Sequence, residues 1–110
     1  MSPVPSTADG PVTLINVFEV PDGRLAETVD AWHAARDFLV EQPGYISTEL
    51  HEALGADARF SLVNVARWQS TGCFRAAMEK MQAAGVFRPA EGLRFTPALY
   101  RTRFTDAAPR

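Results

Sequence analysis

The alternation of the segment LVNVARW, residues 62–68, constrains the fold more than any other feature of the chain. Side chains of a β-strand point in turn to the two faces of the sheet, so Asn64 and Trp68 lie on the same apolar face. A second alternating segment, TLINVFEV, places Asn16 in an apolar row of the same kind. A side-chain amide in such a row needs a hydrogen-bond partner, which is either a protein group nearby or a bound ligand.

The periodicity of the apolar residues predicts a single domain built from strands and helices. Strands are expected over residues 12–20, 45–53, 59–68 and 98–104, and helices over 24–41 and from the N-cap Ser70 to 84. This βαββαβ order predicts an α+β, ferredoxin-like fold, in which an antiparallel sheet carries both helices on one face. The domain is expected to span residues 12–104, between a flexible leader at 1–11 and a flexible tail at 105–110.

The sheet face without helices is also expected to be apolar. The side chains that alternation places there are Thr13, Ile15, Val17, Val63 and Val65. An exposed apolar patch of this kind usually marks an interface between proteins. The sequence therefore predicts a homodimer whose sheets pack face to face.

Composition and charge exclude several classes of function. The 110-residue chain is 46% hydrophobic and is expected to be globular, and its net charge of −2 leaves no basic face for nucleic acid. The single cysteine, Cys73, is expected to serve packing, and two histidines without acidic partners at ligand spacing predict no metal site. No apolar run approaches the ~20 residues of a membrane helix, and no signal-peptide pattern is present, which predicts a cytoplasmic protein.

Four parts of the chain form a pattern in this order: LINVFEVPDGR, Ala31-Trp32, QPGYISTELH and LVNVARWQS. In this order they resemble the antibiotic biosynthesis monooxygenase family of dimeric α+β barrels. The resemblance covers about residues 12–104. It implies a pocket between the sheet and the helices of each subunit, which binds a hydrophobic aromatic molecule. It also implies oxidation of an aromatic polyketide phenol or anthrone to a quinone by molecular oxygen, without metal, flavin or haem.

The same resemblance implies roles for individual residues. The two asparagines, Asn16 and Asn64, would donate amide N–H groups to a developing oxyanion, beside a flat wall formed by Trp68. His51 matches a histidine of some members and would act as a general base. The residues expected to supply the remaining substrate-binding surface are Trp32, Phe38, Phe74 and Met78. At Phe74 some members carry a tyrosine, so a mechanism that needs a phenol there does not carry over.

Other interpretations of these residues stay open at the sequence level. Trp68 and the helix residues are also typical of an ordinary core, and His51 of a surface or interface position. The haem-degrading members of the fold resemble the chain less well, since Ala77 and Glu91 stand where those members have a tryptophan and the haem-ligating histidine. Two further functions compete with the oxygenase: a polyketide cyclase or isomerase with His51 as base, and a non-catalytic dimer that binds a small aromatic ligand.

Overall fold

The computed structural model describes residues 10–109. Its elements are β1 (Val12–Glu19), α1 (Leu25–Leu39), β2 (Tyr45–Glu52), β3 (Leu62–Trp68), α2 (Thr71–Ala84) and β4 (Arg94–Tyr100). The four strands form one antiparallel sheet in the order β2-β3-β1-β4. This is the ferredoxin-like arrangement, so the predicted fold class is confirmed.

Local signals in the sequence fix the ends of α2. The Ser70 side chain accepts a hydrogen bond from the Cys73 backbone N–H at 3.1 Å, which satisfies one of the amide donors left free at a helix N-terminus. Gly85 ends the helix in the left-handed region, with φ of 64°. The predicted cap and the predicted end at residue 84 are both confirmed.

The last strand lies four residues earlier than the sequence predicts. It pairs with β1 from Arg94, opposite Glu19, to Tyr100, opposite Thr13. Because β1 begins at Val12, residues after Tyr100 have almost no partner left to pair with. Pro97 interrupts the alternating pattern, so the sequence did not indicate a strand that includes it. Proline is nevertheless tolerated here, because β4 is an edge strand of the sheet. The predicted strand over residues 98–104 is therefore wrong at both ends.

An irregularity in β2 changes the face of one aromatic residue. The pairing with β3 shifts between Tyr45 and Ser47, so that Tyr45 lies opposite Trp68 while Ser47 lies opposite Arg67. Strict alternation would have placed Tyr45 on the same face as Ser47. The bulge instead turns the Tyr45 ring to the helix side of the sheet.

The core lies between the helices and one face of the sheet. Its main cluster consists of Leu14, Ala66, Trp68, Cys73 and Ala77. Helix α1 contributes its buried residues Thr28 and Ala35, and the half-buried Leu39 packs against the core cluster, whereas Leu25 at the start of the helix is partly exposed. The buried Thr28 hydroxyl is satisfied by donating to the Arg24 carbonyl oxygen at 2.8 Å.

The opposite face of the sheet has no helix over it within residues 10–109. The register places Ile15 opposite Val65 and Val17 opposite Val63 on that face, and all four are only partly buried. The molecule is accordingly flat, with one principal extent of 20 Å against 45 and 42 Å. Its Cα radius of gyration is 15.2 Å, larger than the ~13 Å expected of a compact chain of this length.

Candidate functional site

A cavity of about 510 Å³ lies between the helices and the sheet. Its volume is in the range of small-molecule binding sites. Aliphatic and aromatic side chains dominate its walls. The sheet contributes Leu14, Asn16, Phe18, Tyr45, Thr48, Asn64, Ala66, Trp68, Phe95 and Pro97, and the helices and the following loop contribute Trp32, Ala35, Arg36, Leu39, Phe74, Met78, Met81, Gln82, Gly85 and Phe87.

The two asparagines form a pair at the floor of this cavity. Asn16 in β1 lies directly opposite Asn64 in β3, on the face toward the helices. The Cβ atoms of residues paired in this way are ~5 Å apart in an antiparallel sheet. Two side-chain amides therefore stand side by side in a surface that is otherwise mostly apolar.

A hydroxyl group on the neighbouring strand orients one of these amides. The Thr48 Oγ1–H donates to Oδ1 of Asn64 at 2.8 Å. With its oxygen engaged in this way, Asn64 presents its amide N–H groups as the polar contribution to the cavity. Sequence analysis missed Thr48, although alternation in β2 placed it on the same face as Leu50.

Two buried polar atoms of the site have no hydrogen-bond partner in the described residues. They are Oδ1 of Asn16, an acceptor, and Nε1 of Trp68, a donor. A buried polar group left without a partner costs ~1–3 kcal/mol, so most native proteins satisfy nearly all of them. Both atoms belong to residues that line the cavity, which is where a bound molecule would supply the missing partners.

Trp68 is at once part of the core and a wall of the cavity. It is 1% exposed, and its ring makes edge-to-face contacts with Tyr45 at 5.5 Å and with Phe74 at 6.0 Å between ring centroids. Such contacts hold the indole in one orientation. The two sequence interpretations of Trp68, core residue and substrate wall, are thus compatible.

A second aromatic group lines the other end of the cavity. Phe95 in β4 contacts Phe18 at 6.2 Å and Phe87 at 5.7 Å between ring centroids. Sequence analysis missed Phe87 and Phe95 because both lie outside the helices and strands that it predicts. The strand that carries Phe95 became recognisable only from its pairing with β1.

The structure brings together most of the residues that the sequence predicted for the site, and leaves two outside. The predicted residues that line the cavity are Asn16, Asn64, Trp68, Trp32, Phe74 and Met78. Phe38 does not line it, because it lies one residue, or about 100° of helix rotation, from Leu39, which does. His51 lies on the opposite face of the sheet, across from Val63.

His51 is separated from the cavity by the sheet itself. Its side chain is 57% exposed, and its Nε2 lies 3.1 Å from a carboxylate oxygen of Glu49 on the same strand face. The geometry of one subunit therefore gives no support to His51 as a base for a ligand in the cavity, and its catalytic role stays an untested prediction.

The charge of the cavity wall is carried by one residue. Arg36 is the only ionic side chain among the described residues that line it, and no carboxylate or imidazole is present there. The described residues also hold no group of three or more His, Cys, Asp or Glu able to bind a metal ion.

Within residues 10–109, no helix is both long and apolar enough to cross a bilayer.

The comparison with protein families identifies the chain. A family model described as antibiotic biosynthesis monooxygenase matches residues 11–88. The chain belongs to this family. The predicted family resemblance is confirmed. Comparison with curated proteins gives no match.

Solved structures of similar proteins agree with the family. A candidate monooxygenase from Shewanella loihica PV-4 is 48% identical, with a TM-score of 0.79, over 87% of this chain and 97% of that chain. SnoaB, a cofactor-independent oxygenase from Streptomyces nogalater, is 27% identical, with a TM-score of 0.70, over 87% and 96% of the two chains. The haem degrader MhuD from Mycobacterium tuberculosis, solved with two haems bound, shares the fold at 21% identity and a TM-score of 0.64, over 87% and 99%.

The described side chains around the cavity include no histidine that could serve as an axial ligand of haem. Neither histidine, His33 or His51, lines the cavity, so no imidazole is available to the iron. Ala77 is buried in α2, and Glu91 is exposed outside the cavity wall. This antibiotic biosynthesis monooxygenase family member therefore lacks the donor set for histidine-ligated haem, and no reaction step is assigned to that group.

Proposed function

We propose that the protein is a cofactor-independent monooxygenase, which oxidises an aromatic polyketide phenol or anthrone to a quinone in antibiotic biosynthesis. The observation that carries the proposal is the cross-strand pair Asn16 and Asn64, set in an otherwise largely apolar cavity with a flat tryptophan wall. Family membership and the similarity to the oxygenase SnoaB support the reaction class.

The proposed reaction uses the substrate as its own reductant. An anthrone that loses a proton becomes an electron-rich enolate, which passes one electron to dioxygen. The two radicals combine to form a C–O bond, and the resulting peroxide takes up a proton and loses water to leave a carbonyl group. One anthrone and one dioxygen thus give one quinone and one water, and no external electron donor is needed.

The amide groups would act on the charge that develops on the substrate oxygen. The N–H groups of Asn64, oriented by Thr48, would donate to the oxyanion and lower the pKa of the bound phenol or enol. The unpartnered Oδ1 of Asn16 would accept a hydrogen bond from a substrate hydroxyl group. Since no carboxylate or imidazole lines the cavity among the described residues, the substrate proton would pass to a water molecule at the cavity opening and from there to solvent.

Apolar and aromatic side chains would hold the ring system and limit access of water. Trp68, Phe74 and Met78 line the cavity beside the amide pair. Flat aromatic walls suit a flat polycyclic ligand, and removal of water strengthens the hydrogen bonds to the anion. The walls would therefore favour the anion and its reaction with dioxygen over reactions with bulk water.

Oxygen consumption tests the proposal directly. We expect metal-stripped protein to consume dioxygen in a one-to-one ratio with quinone formed from anthrone, and no product to form under argon. Asn64→Ala should lower turnover at least tenfold, since loss of one preorganised oxyanion donor costs roughly 3 kcal/mol. Gln69→Ala is the control, because this exposed amide lies outside the cavity wall.

Each alternative outcome has a distinct meaning. A new product under argon, without oxygen consumption, would replace the oxygenase with a cyclase or isomerase. Tight binding of a quinone with neither product nor oxygen use would indicate a binding module. Equal activity of Asn64→Ala and wild type would contradict the assignment of the site.

A further inference from the structure

The two ends of the cavity differ in polarity. One end is lined by the contacting rings of Phe18, Phe87 and Phe95. The other end holds Trp68, whose buried Nε1–H donor has no partner. The two ends of the cavity lie over opposite ends of β3. Leu62, at the start of this strand, pairs with Phe18, and Trp68, at its end, pairs with Val12.

Arg36 lies toward the Trp68 end of the cavity. It is in the last turn of α1, three residues before Leu39, which packs against the core cluster that contains Trp68. At 1.5 Å of rise per residue, Arg36 is only about 5 Å along the helix axis from Leu39. Its side chain is 46% exposed and also lines the cavity, so it stands at an opening between cavity and solvent.

The guanidinium group of Arg36 is available to a ligand. Its Nη1 donates to Asp37 Oδ1 at 2.9 Å, and the Asp37 side chain is 68% exposed and lies outside the cavity wall. An arginine carries five N–H donors, so this one contact leaves others free. An ion pair this exposed to solvent is weak and exchanges readily for a better placed anion.

From these observations we infer that the cavity selects aromatic substrates that carry a carboxylate at one edge, and that Arg36 is the residue that recognises it. A fork of N–H donors binds a planar carboxylate at two points, while the phenylalanine end favours the unsubstituted rings. No carboxylate among the described cavity-lining residues would repel the ligand's charge. The inference rests on the proposed function only for the polycyclic nature of the ligand.

The test compares two probes that differ in charge alone. Binding of 9,10-anthraquinone-2-carboxylate and of the neutral 9,10-anthraquinone-2-carboxamide is measured by calorimetry and by quenching of tryptophan fluorescence, since Trp32 and Trp68 line the cavity. We expect wild type to bind the carboxylate roughly tenfold more tightly, the range of one charge-assisted contact. Arg36→Gln should remove this preference and change carboxamide affinity less than twofold.

Two further variants make the result specific. Arg75→Gln removes an exposed arginine of α2 that does not line the cavity, and should keep the full preference. Arg36→Lys, which retains the charge but loses the fork, should keep part of it. Equal affinity of wild type for both probes, or an undiminished preference in Arg36→Gln, would overturn the inference.

These outcomes are independent of the oxygenase reaction. Both probes are already quinones, so their binding requires neither dioxygen nor turnover. Oxygen consumption with an uncharged anthrone, combined with no preference for the carboxylate probe, would leave the proposed function standing and remove the inference. A carboxylate preference that is lost in Arg36→Gln, without any oxygen consumption, would support the inference and remove the proposed function.

Discussion

At the scale of single residues, the site depends on how one amide is held. Asn64 keeps its oxygen occupied by the Thr48 hydroxyl at 2.8 Å, which decides that N–H groups and not the carbonyl oxygen are offered to a ligand. Asn16, directly opposite, has no such partner within the described residues. The two chemically identical side chains are thus prepared for different tasks, one as donor and one as acceptor.

Thr48 is accordingly a positioning residue. Thr48→Val keeps the size of the side chain but removes the hydroxyl that orients Asn64, and we expect turnover to fall between fivefold and thirtyfold, on the scale of one lost hydrogen bond of about 1–2 kcal/mol. Because the effect is on the transition state, kcat should fall more than KM rises, as measured by steady-state oxygen consumption.

The matched variant for this prediction is Thr48→Ser. It keeps the hydroxyl and should retain most of the activity. A Thr48→Val protein with unchanged kcat would show that Asn64 holds its orientation without the hydroxyl, and a Ser variant as slow as the Val variant would attribute the effect to packing.

At the scale of elements, the approach of β2 to α2 depends on Gly44. Its φ of +89° lies in the region that favours glycine, and a Cβ atom at this position would overlap Cβ and Sγ of Cys73 on α2. Gly44 therefore allows the chain to enter β2 directly beneath the first turn of α2. The same entry places Tyr45 against Trp68 at the wall of the cavity.

Gly44→Ala is expected to destabilise the protein by about 3 kcal/mol or more, since backbone strain of ~1–3 kcal/mol and the overlap with Cys73 add together. Gly85→Ala is the control, because its φ of +64° imposes similar strain but a Cβ there meets nothing within 4 Å. Denaturant unfolding of both variants measures the difference. Equal losses would show that α2 moves away without cost.

The elements also show why sequence predicts some features and not others. The period of two in β1 and β3 is local, so it placed Asn16, Asn64 and Trp68 on one face correctly without knowledge of their partners. The bulge after Tyr45 and the register of β4 depend on pairing with distant strands. Strict alternation alone would therefore place Tyr45 on the wrong face, and the local pattern does not reveal that Phe95 belongs to a strand.

At the scale of the whole molecule, the fold leaves half of its sheet surface without cover from the described residues. Residues Ile15, Val17, Val63 and Val65 lie on that face, and the short 20 Å extent reflects only two layers. Burial of this face would remove apolar area from water at about 25 cal/mol per Å². We therefore propose that the protein is a homodimer, joined through these faces.

Ile15→Lys should convert the proposed dimer to monomers, because a charge between Val65 and Ala98 on this face would have to lose its water on association. Light scattering coupled to size exclusion measures the mass. Leu54→Lys is the control, since Leu54 is fully exposed at the β2–β3 turn and lies off this face. A wild-type monomer, or a dimer that survives Ile15→Lys, would remove the face-to-face arrangement.

The position of Pro97 affects whether two molecules can associate through the edges of their sheets. It lies within β4, the outer strand on one side of the sheet, and it carries no N–H group. On the other side, β2 is irregular near Tyr45 and presents the charged Glu49. Neither edge strand pairs readily with a strand of another molecule, so edge-to-edge assembly into fibres is disfavoured. Contact between copies is then expected through the sheet face, where a single twofold axis gives a closed dimer.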